Sequence, residues 1–328
     1  MAHSATTGKT LDLFKKLLRG HGFQQFSREQ NTDDNTLMRF LAAKQFDLQA
    51  ACRQFEYFQK WRREHQIRHF YEELDVDAYE LTRQMYPQWI GRRDRDGRPV
   101  YVFPVRYFTR DKLVEYLKLV SAAPKPASHE VSPVPAFELH FHALYENLLQ
   151  FVLPLTSELP RPDMSRPVSS STHIVDISGV SLQQWWSIRQ YLQLGSTLAT
   201  AHYPETLGRV FVVGAPAFFR SIWELISRWF DPGTRAKISI LSSSEAKSVL
   251  LRYIDASDLP QEYGGSLEWK WKDQPSLDPA ARVLVDELYH KTDRGEVFHK
   301  GPVIFQDGCI RLLGSVKGKP RRNAFCRV

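Results

Sequence analysis

The stretch that decides the fold runs from His202 to Ser244 and reads HYPETLGRVFVVGAPAFFRSIWELISRWFDPGTRAKISILSSS. Arg209 to Val213 is a mostly apolar, β-branched run with the length of a strand that is buried on both faces. Ile238 to Leu241 predicts a second short buried strand. A helical segment joins the two strands, so we expect them to pair in parallel. The stretch therefore predicts an α/β fold.

The segment between these strands has the pattern of an aromatic helix. Pro216 suits the first helical position, where its missing N–H costs nothing, and Asp231-Pro232-Gly233 ends the helix. Its apolar residues are Phe218, Phe219, Ile222, Trp223, Leu225, Ile226, Trp229 and Phe230. Their spacing is close to i, i+3, i+4, i+7, but it covers more than one stripe. One face of a sheet is not enough to cover such a helix.

Composition places the chain among globular proteins. Its 328 residues are 42% hydrophobic and 12% aromatic, which is enough to build a large core. The formal charge of +7, from 44 basic and 37 acidic residues, favours contact with anionic surfaces such as phospholipid headgroups or nucleic acid. We expect neither a signal peptide nor a membrane span, because no apolar run approaches about 18 residues.

Cysteine usage predicts a reducing compartment. Cys52, Cys309 and Cys326 are widely spaced and odd in number, so we expect no disulfide framework and no metal pair. We therefore expect a cytoplasmic protein.

The regions before the deciding stretch also have clear signals. The run Thr32-Asp33-Asp34-Asn35-Thr36 offers N-caps for one helix, Asp47 caps the next, and residues 9–83 predict a small helical subdomain. Strands on either side of an Asp-Gly turn at residues 94–97 predict a β-hairpin. Its arginines, Arg92, Arg93, Arg95 and Arg98, favour a solvated tip over a phosphate site.

The other predicted elements complete an α/β order along the chain. We predict helices over residues 111–120, 136–153 (ending before Pro154), 182–198, 245–253 and 280–289, a strand over 173–178, a hairpin over 303–312 and a basic tail over 317–327.

Several chemistries are not expected. Ser171 and His173 share one face of a strand while Asp176 points to the other, so they cannot form a hydrolytic triad. No GxGxxG or GxxxxGK[ST] motif is present, so we expect no nucleotide cofactor. The aromatic residues lie in core-like patterns, which argues against nucleic-acid binding.

An ordered set of motifs carries a family resemblance across about residues 32–268. The chain resembles CRAL-TRIO proteins of the secretory-pathway phosphatidylinositol/phosphatidylcholine transfer type. The motifs are TLMRFLAAKQFDLQAACRQFEYFQKWR, DRDGRPVYVFPV, HIVDISGV, YPETLGRVFVVGAPAFF, DPGTRAKISIL and LPQEYGG.

The resemblance implies a CRAL-TRIO lipid-binding fold, in which a mainly parallel sheet floors an apolar pocket. A helical N-terminal lobe would span residues 9–83, the lipid-binding domain 84–268 and a C-terminal extension 269–328. Residues 216–230 would be the gate helix over the pocket. Its apolar excess is then explained, because its second face meets acyl chains or the bilayer during exchange.

Site residues follow from the same resemblance, position by position. The headgroup residues would be Ser171, His173, Glu205, Thr234, Lys237 and Lys44, and a second-lipid pocket would use Tyr101 and Tyr145. His173 replaces a hydroxyl residue of the family, Lys44-Gln45 replaces an Arg-Lys pair, and Ile90 replaces a tyrosine. Lysine and hydroxyl groups suit phosphate, whereas a carboxylate accepts from inositol hydroxyls.

The function implied is a non-enzymatic phospholipid carrier. It would bind phosphatidylinositol, with phosphatidylcholine as a second ligand, and exchange it between membranes by opening the gate helix. We expect a monomer that contacts membranes transiently, with no metal, no cofactor and no nucleic acid. The alternative is a carrier or sensor of another hydrophobic ligand, or of haem ligated by His173.

Overall fold

The computed structural model of the protein describes residues 2–28, 30–126, 129, 132–216, 218–230, 232–292, 295–321 and 323–326. Ala217 and Asp231, which belong to the start and the end of the aromatic segment, lie outside these residues, as do Arg322 and Arg327 of the basic tail. Among the described helices we find none with both the length and the apolarity to cross a bilayer.

The chain begins with a lobe of helices. Asp33 and Asp47 accept backbone N–H groups and so begin the second and third helices, as predicted. An aromatic cluster that includes Phe14, Phe40 and Phe55 holds these helices together, and all three side chains are fully buried. The helices are α1 (Ala2–Gly20), α2 (Asp34–Ala43), α3 (Leu48–Glu64), α4 (Ile67–Glu73) and α5 (Val76–Arg83).

A five-stranded sheet follows. Its strands are β1 (Gln88–Arg93), β2 (Pro99–Pro104), β3 (Ser171–Asp176), β4 (Leu207–Val213) and β5 (Ile238–Leu241), in that spatial order. β1 and β2 form the predicted antiparallel hairpin, while β2 to β5 pair in parallel. The mainly parallel α/β sheet expected from the sequence is confirmed.

Helices cover both faces of this sheet. α6 (Arg110–Ala122) and α9 (Leu182–His202) lie in the layer on one face, together with α10 (Phe219–Ile226) and the 3₁₀ turn Ser227–Trp229. α12 (Ser243–Tyr253) and the residues that follow it cover the other face. In chain order, α11 (Pro232–Ala236) follows the 3₁₀ turn and leads into β5.

The boundaries of α10 and α7 (Ala136–Asn147) differ from those predicted. α10 begins at Phe219, because Pro216 supplies a turn whose carbonyl accepts from the Phe219 N–H at 2.9 Å. α7 does not end the helical path before Pro154, since a π turn (Leu148–Val152) continues it into α8 (Leu153–Glu158). Pro154 then stands in the first turn of α8, where its missing N–H is tolerated.

The C-terminal residues pack back onto the helical lobe. α13 (Pro279–Leu284) is shorter than the predicted helix and a 3₁₀ turn, Asp286–Leu288, follows it. The predicted hairpin is present as β8 (Val303–Gln306) and β9 (Cys309–Leu312). The remaining strands are β6 (Tyr289–Thr292), β7 (Gly295–Phe298), β10 (Ser315–Val316), β11 (Lys319–Pro320) and β12 (Asn323–Cys326). The described part of the basic tail is thus strand-paired.

Two predictions were wrong, one about the cysteines and one about the hairpin arginines. Cys309 is disulfide-bonded, although we expected no disulfide. The hairpin arginines are not a simple solvated tip, because carboxylates bind them. The ion pairs are Arg92–Asp258, Arg93–Asp278, Arg95–Asp255, Arg98–Asp94 and Arg98–Asp96.

Candidate functional site

A polar cleft of about 160 Å³ lies where the amino ends of β4 and β5 meet the helical lobe. Four of the predicted headgroup residues line it, namely Lys44, Glu205, Thr234 and Lys237. Glu205 stands two residues before β4, and Lys237 directly before β5. Because the two strands are parallel neighbours, their amino ends bring these side chains together.

Charge pairing organises the cleft. The Lys237 ammonium lies 2.6 Å from a Glu205 carboxylate oxygen, and both side chains are about a quarter exposed. Glu205 adopts a left-handed backbone conformation with φ of 59°. Such a conformation in a non-glycine residue persists only where surrounding structure fixes it, and it is frequent at functional sites. Lys44, at the end of α2, adds a second cation to the same cleft.

Ser171 and His173 do not line this cleft. The Ser171 side chain is fully buried, where its hydroxyl donates to the Thr206 carbonyl at 3.0 Å. Its oxygen also lies 2.9 Å from His173 Nε2. Which of these two atoms donates is set by the tautomer of the imidazole. The structure separates this pair from the four cleft residues.

An aromatic group continues from His173 along the same face of the sheet. Tyr101 stacks on His173 with ring centroids 5.0 Å apart, and Tyr145 stacks on Tyr203 at 4.1 Å. Tyr203 also lines the polar cleft, so the stacked rings border it. Burial raises the pKa of both Tyr101 and Tyr145, which keeps their hydroxyls neutral.

The register of β1 explains why position 90 holds an isoleucine where the family has a tyrosine. Its side chain is fully buried on the opposite face of the sheet, beside α12. The cross-strand partner of Tyr101 is Trp89, which is buried in the same cluster that Tyr101 packs against. The aromatic neighbour that the resemblance places at position 90 is therefore supplied by position 89, a residue that our sequence reasoning missed.

The aromatic helix that we expect to act as the gate packs against the sheet through one face. Phe219, Ile222 and Ile226 are buried against a cluster that contains Val210 and Val212. Four further gate residues are only half-buried, namely Phe218, Trp223, Trp229 and Phe230. Leu225 is 41% exposed on the outside. The predicted apolar excess is thus present as a second, poorly covered side of the helix.

Gln54 is a second residue that the sequence did not reveal, and it lines the polar cleft. Its side-chain NH₂ donates to the Thr200 and Ala201 carbonyls at 3.0 and 3.1 Å, which holds α3 against the end of α9. The amide oxygen is buried and has no hydrogen-bond partner among the described residues. Nothing local in the sequence marks this contact, because Gln54 and its partners are about 146 residues apart.

Acid is expected to destabilise the fold through His173. Burial lowers the pKa of His173 to about 4, below the ordinary value of about 6.5. Below pH 6.5 the His173 imidazole is protonated in the unfolded chain but stays neutral in the folded protein. The free energy of unfolding therefore falls as the pH drops toward 4. Between pH 7 and pH 5 this amounts to about 2 kcal/mol.

Urea unfolding at both pH values measures this effect. His173→Thr, which restores the hydroxyl that the family resemblance implies, should lose less stability over this range than the unchanged protein. His69→Ala, at a half-exposed histidine, is the control and should keep the original slope. Equal slopes for all three proteins would contradict the assignment.

Comparison with known proteins agrees with this architecture. Residues 83–265 match the model of the CRAL/TRIO domain. The chain is 31% identical to a SEC14 cytosolic factor of Eremothecium gossypii, over 78% of this chain and 75% of the relative. It is 28% identical to the phosphatidylinositol/phosphatidylcholine transfer protein SFH9 of Arabidopsis thaliana, over 81% of this chain and 44% of that protein.

A solved structure shares the fold. The crystal structure of Sfh5 superposes with a TM-score of 0.56 at 20% identity, over 86% of this chain and 96% of Sfh5. This likeness concerns the fold alone, whereas the match to the domain model extends over more than half of the chain. The chain therefore belongs to the CRAL/TRIO domain family.

Proposed function

We propose that this protein binds phosphatidylinositol, with phosphatidylcholine as a second ligand, and moves it between membranes without catalysing a reaction. The observation that carries the proposal is the polar cleft, where Lys44, Glu205, Thr234 and Lys237 converge beside the gate helix. Relatives named as phosphatidylinositol/phosphatidylcholine transfer proteins support it. We further propose that it works in the cytoplasm and contacts membranes transiently.

The cleft offers complementary groups to a phosphoinositol headgroup. Lys44 and Lys237 are cations for the phosphate, and the Thr234 hydroxyl adds a polar group. Glu205 accepts hydrogen bonds from inositol hydroxyls. Glu205 neutralises Lys237, and a headgroup phosphate would compete with this carboxylate for the lysine.

Phosphatidylcholine would use the aromatic group instead. A quaternary ammonium is attracted to the faces of aromatic rings. Tyr101, Tyr145 and Trp89 provide such rings, and the rings of Tyr101 and His173 are nearly parallel, at 10°. These residues belong to the second-lipid site that we propose.

The absence of catalysis is also part of the proposal. The Asp176 carboxylate accepts from the Arg106 guanidinium at 2.6 Å and from the Tyr263 hydroxyl at 3.3 Å. With its carboxylate bound to these partners, Asp176 does not orient the His173 imidazole, as a hydrolytic triad requires. The arrangement supports a binding role for Ser171 and His173 rather than a hydrolytic one.

A transfer assay tests the proposal. Purified protein should carry labelled phosphatidylinositol from donor to acceptor liposomes, and native mass spectrometry should show one phospholipid per chain. A protein that carries no phospholipid and transfers none would refute it. A Soret band, lost in His173→Ala, would instead establish the haem alternative.

A charge on the outer side of the gate should slow transfer. Leu225→Asp places a carboxylate where an exposed apolar side chain would enter the bilayer, at a cost of about 1.5–3 kcal/mol of lost burial. The expected result is roughly a tenfold or greater fall in transfer rate with unchanged lipid loading. Leu119→Asp, at a similarly exposed leucine on α6, is the matched control. An unaffected rate for Leu225→Asp would argue against membrane contact by this side of the helix.

A further inference from the structure

A mixed set of metal-binding side chains lies in the helical lobe, outside the polar cleft. His21, Cys52 and Glu56 each present one ligand atom, and the three atoms all lie within 4.8 Å of one another. His21 Nδ1 and Glu56 Oε1 are 2.7 Å apart. The lipid-transfer function proposed above uses none of these residues.

Two packed helices hold the three side chains in place. Cys52 and Glu56 are four residues apart on α3 and therefore lie on the same helical face. His21 directly follows the last residue of α1. The adjoining Phe23 packs on Phe55 of α3, with ring centroids 5.3 Å apart, and this contact fixes the turn beside the cluster. The cluster thus lies where α1 and α3 pack together.

We propose that His21, Cys52 and Glu56 form a binding site for a borderline-soft divalent cation, with Zn²⁺ as the best match. Imidazole nitrogen, thiolate sulfur and carboxylate oxygen are all zinc ligands, at bond lengths of about 2.0–2.3 Å. Tetrahedral bonds of this length place neighbouring ligand atoms about 3.3–3.7 Å apart. The side chains need to shift by roughly 1 Å to reach this geometry. Calcium and magnesium fit poorly, since both prefer oxygen ligands.

Charge and space also suit a bound divalent cation. A thiolate and a carboxylate together balance its two positive charges. A cavity of about 360 Å³ beside the cluster, lined by His21, Glu56, Lys60 and Arg63, has room for a fourth ligand from solvent. Burial raises the pKa of the Cys52 thiol to about 11, so coordination displaces the thiol proton, as is usual for cysteine ligands.

Cobalt(II) is the probe that tests the site. Titration of the full chain with Co²⁺ should give the visible bands of tetrahedral cobalt and a sulfur-to-cobalt charge-transfer band, with one equivalent bound. Cys52→Ser should abolish the charge-transfer band. His21→Ala and Glu56→Gln should each weaken binding at least tenfold. His69→Ala is the matched control, because His69 forms a similar pair with Glu73 at 3.3 Å without a cysteine.

A second readout keeps the test independent of folding damage. Zn²⁺ should raise the melting temperature of the unchanged protein and of His69→Ala, but not that of His21→Ala. The His21 side chain is 40% exposed, so its replacement does not disturb the core. The proposal is overturned if the folded protein gives no charge-transfer band, or if His21→Ala retains the full zinc-induced shift.

Discussion

Lys237→Ala is expected to lower phosphatidylinositol loading roughly 10- to 100-fold. Lys237 is one of the two lysines that the described residues contribute to the polar cleft, and a charge-assisted hydrogen bond contributes about 1.5–3 kcal/mol. The Lys237–Glu205 pair is partly exposed, so its loss should hardly change stability. Competition of labelled phosphatidylinositol and phosphatidylcholine for the purified variant, read by mass spectrometry, measures the effect.

A loss of phosphatidylinositol loading alone distinguishes a binding role of Lys237 from a general loss of folded protein. Phosphatidylcholine loading should persist, because its proposed site uses the aromatic group rather than Lys237. Arg235→Ala removes a cation of the same segment that is exposed and does not line the cleft, and it should load both lipids normally. A Lys237→Ala protein that loads phosphatidylinositol like the unchanged chain would show that the headgroup binds elsewhere.

Glu146→Ala is expected to lower the free energy of unfolding by about 3–5 kcal/mol. The Glu146 carboxylate binds the Arg62 guanidinium through two hydrogen bonds, one of them 3.0 Å long, and the two side chains are 1% and 6% exposed. The pair joins α3 of the helical lobe to α7. Removing the carboxylate leaves a buried cation without its counter-ion, which is the costly state. Urea denaturation of the unliganded protein measures the loss.

Two further variants serve as the control and as the test of the buried charge. Glu64→Ala removes an exposed partner of Lys60 on the same helix and should change stability by less than about 0.5 kcal/mol. Replacing both members of the buried pair, with Arg62→Met and Glu146→Leu, should recover most of the loss because no charge remains buried. A loss below about 1 kcal/mol for Glu146→Ala would mean that water reaches Arg62.

Parallel strand order made part of the cleft predictable from the sequence. Lys237 directly precedes β5 and Glu205 stands two residues before β4, and the apolar runs of both strands are easy to identify in the sequence. Once those strands are parallel neighbours, the residues before them must meet. Sequence reasoning placed Ser171 with them as well, but an inward-facing hydroxyl at the start of β3 binds the Thr206 carbonyl instead. Alternation along the strand could not decide how deep that hydroxyl lies.

Long-range contacts explain what the sequence did not reveal. Gln54 is held by hydrogen bonds to the end of α9. The hairpin arginines pair with carboxylates that are distant in the sequence, such as Asp258 and Asp278. The path through Pro154 depends on a π turn, which shifts the backbone bonding by one residue. Local propensity describes none of these, because the deciding partner lies elsewhere in the chain or in an uncommon turn.

The packing of the C-terminal strands onto the helical lobe has a consequence for the order of folding. The Tyr71 hydroxyl donates to the Val303 carbonyl at 2.8 Å and accepts from the Val303 N–H at 3.0 Å, across 232 residues. Phe305 and Leu312 belong to the same buried cluster as Phe14. During synthesis the first helices therefore emerge long before the residues that complete their core. Such distant pairings slow folding, and a nascent chain must keep this apolar surface from aggregating until its last strands are made.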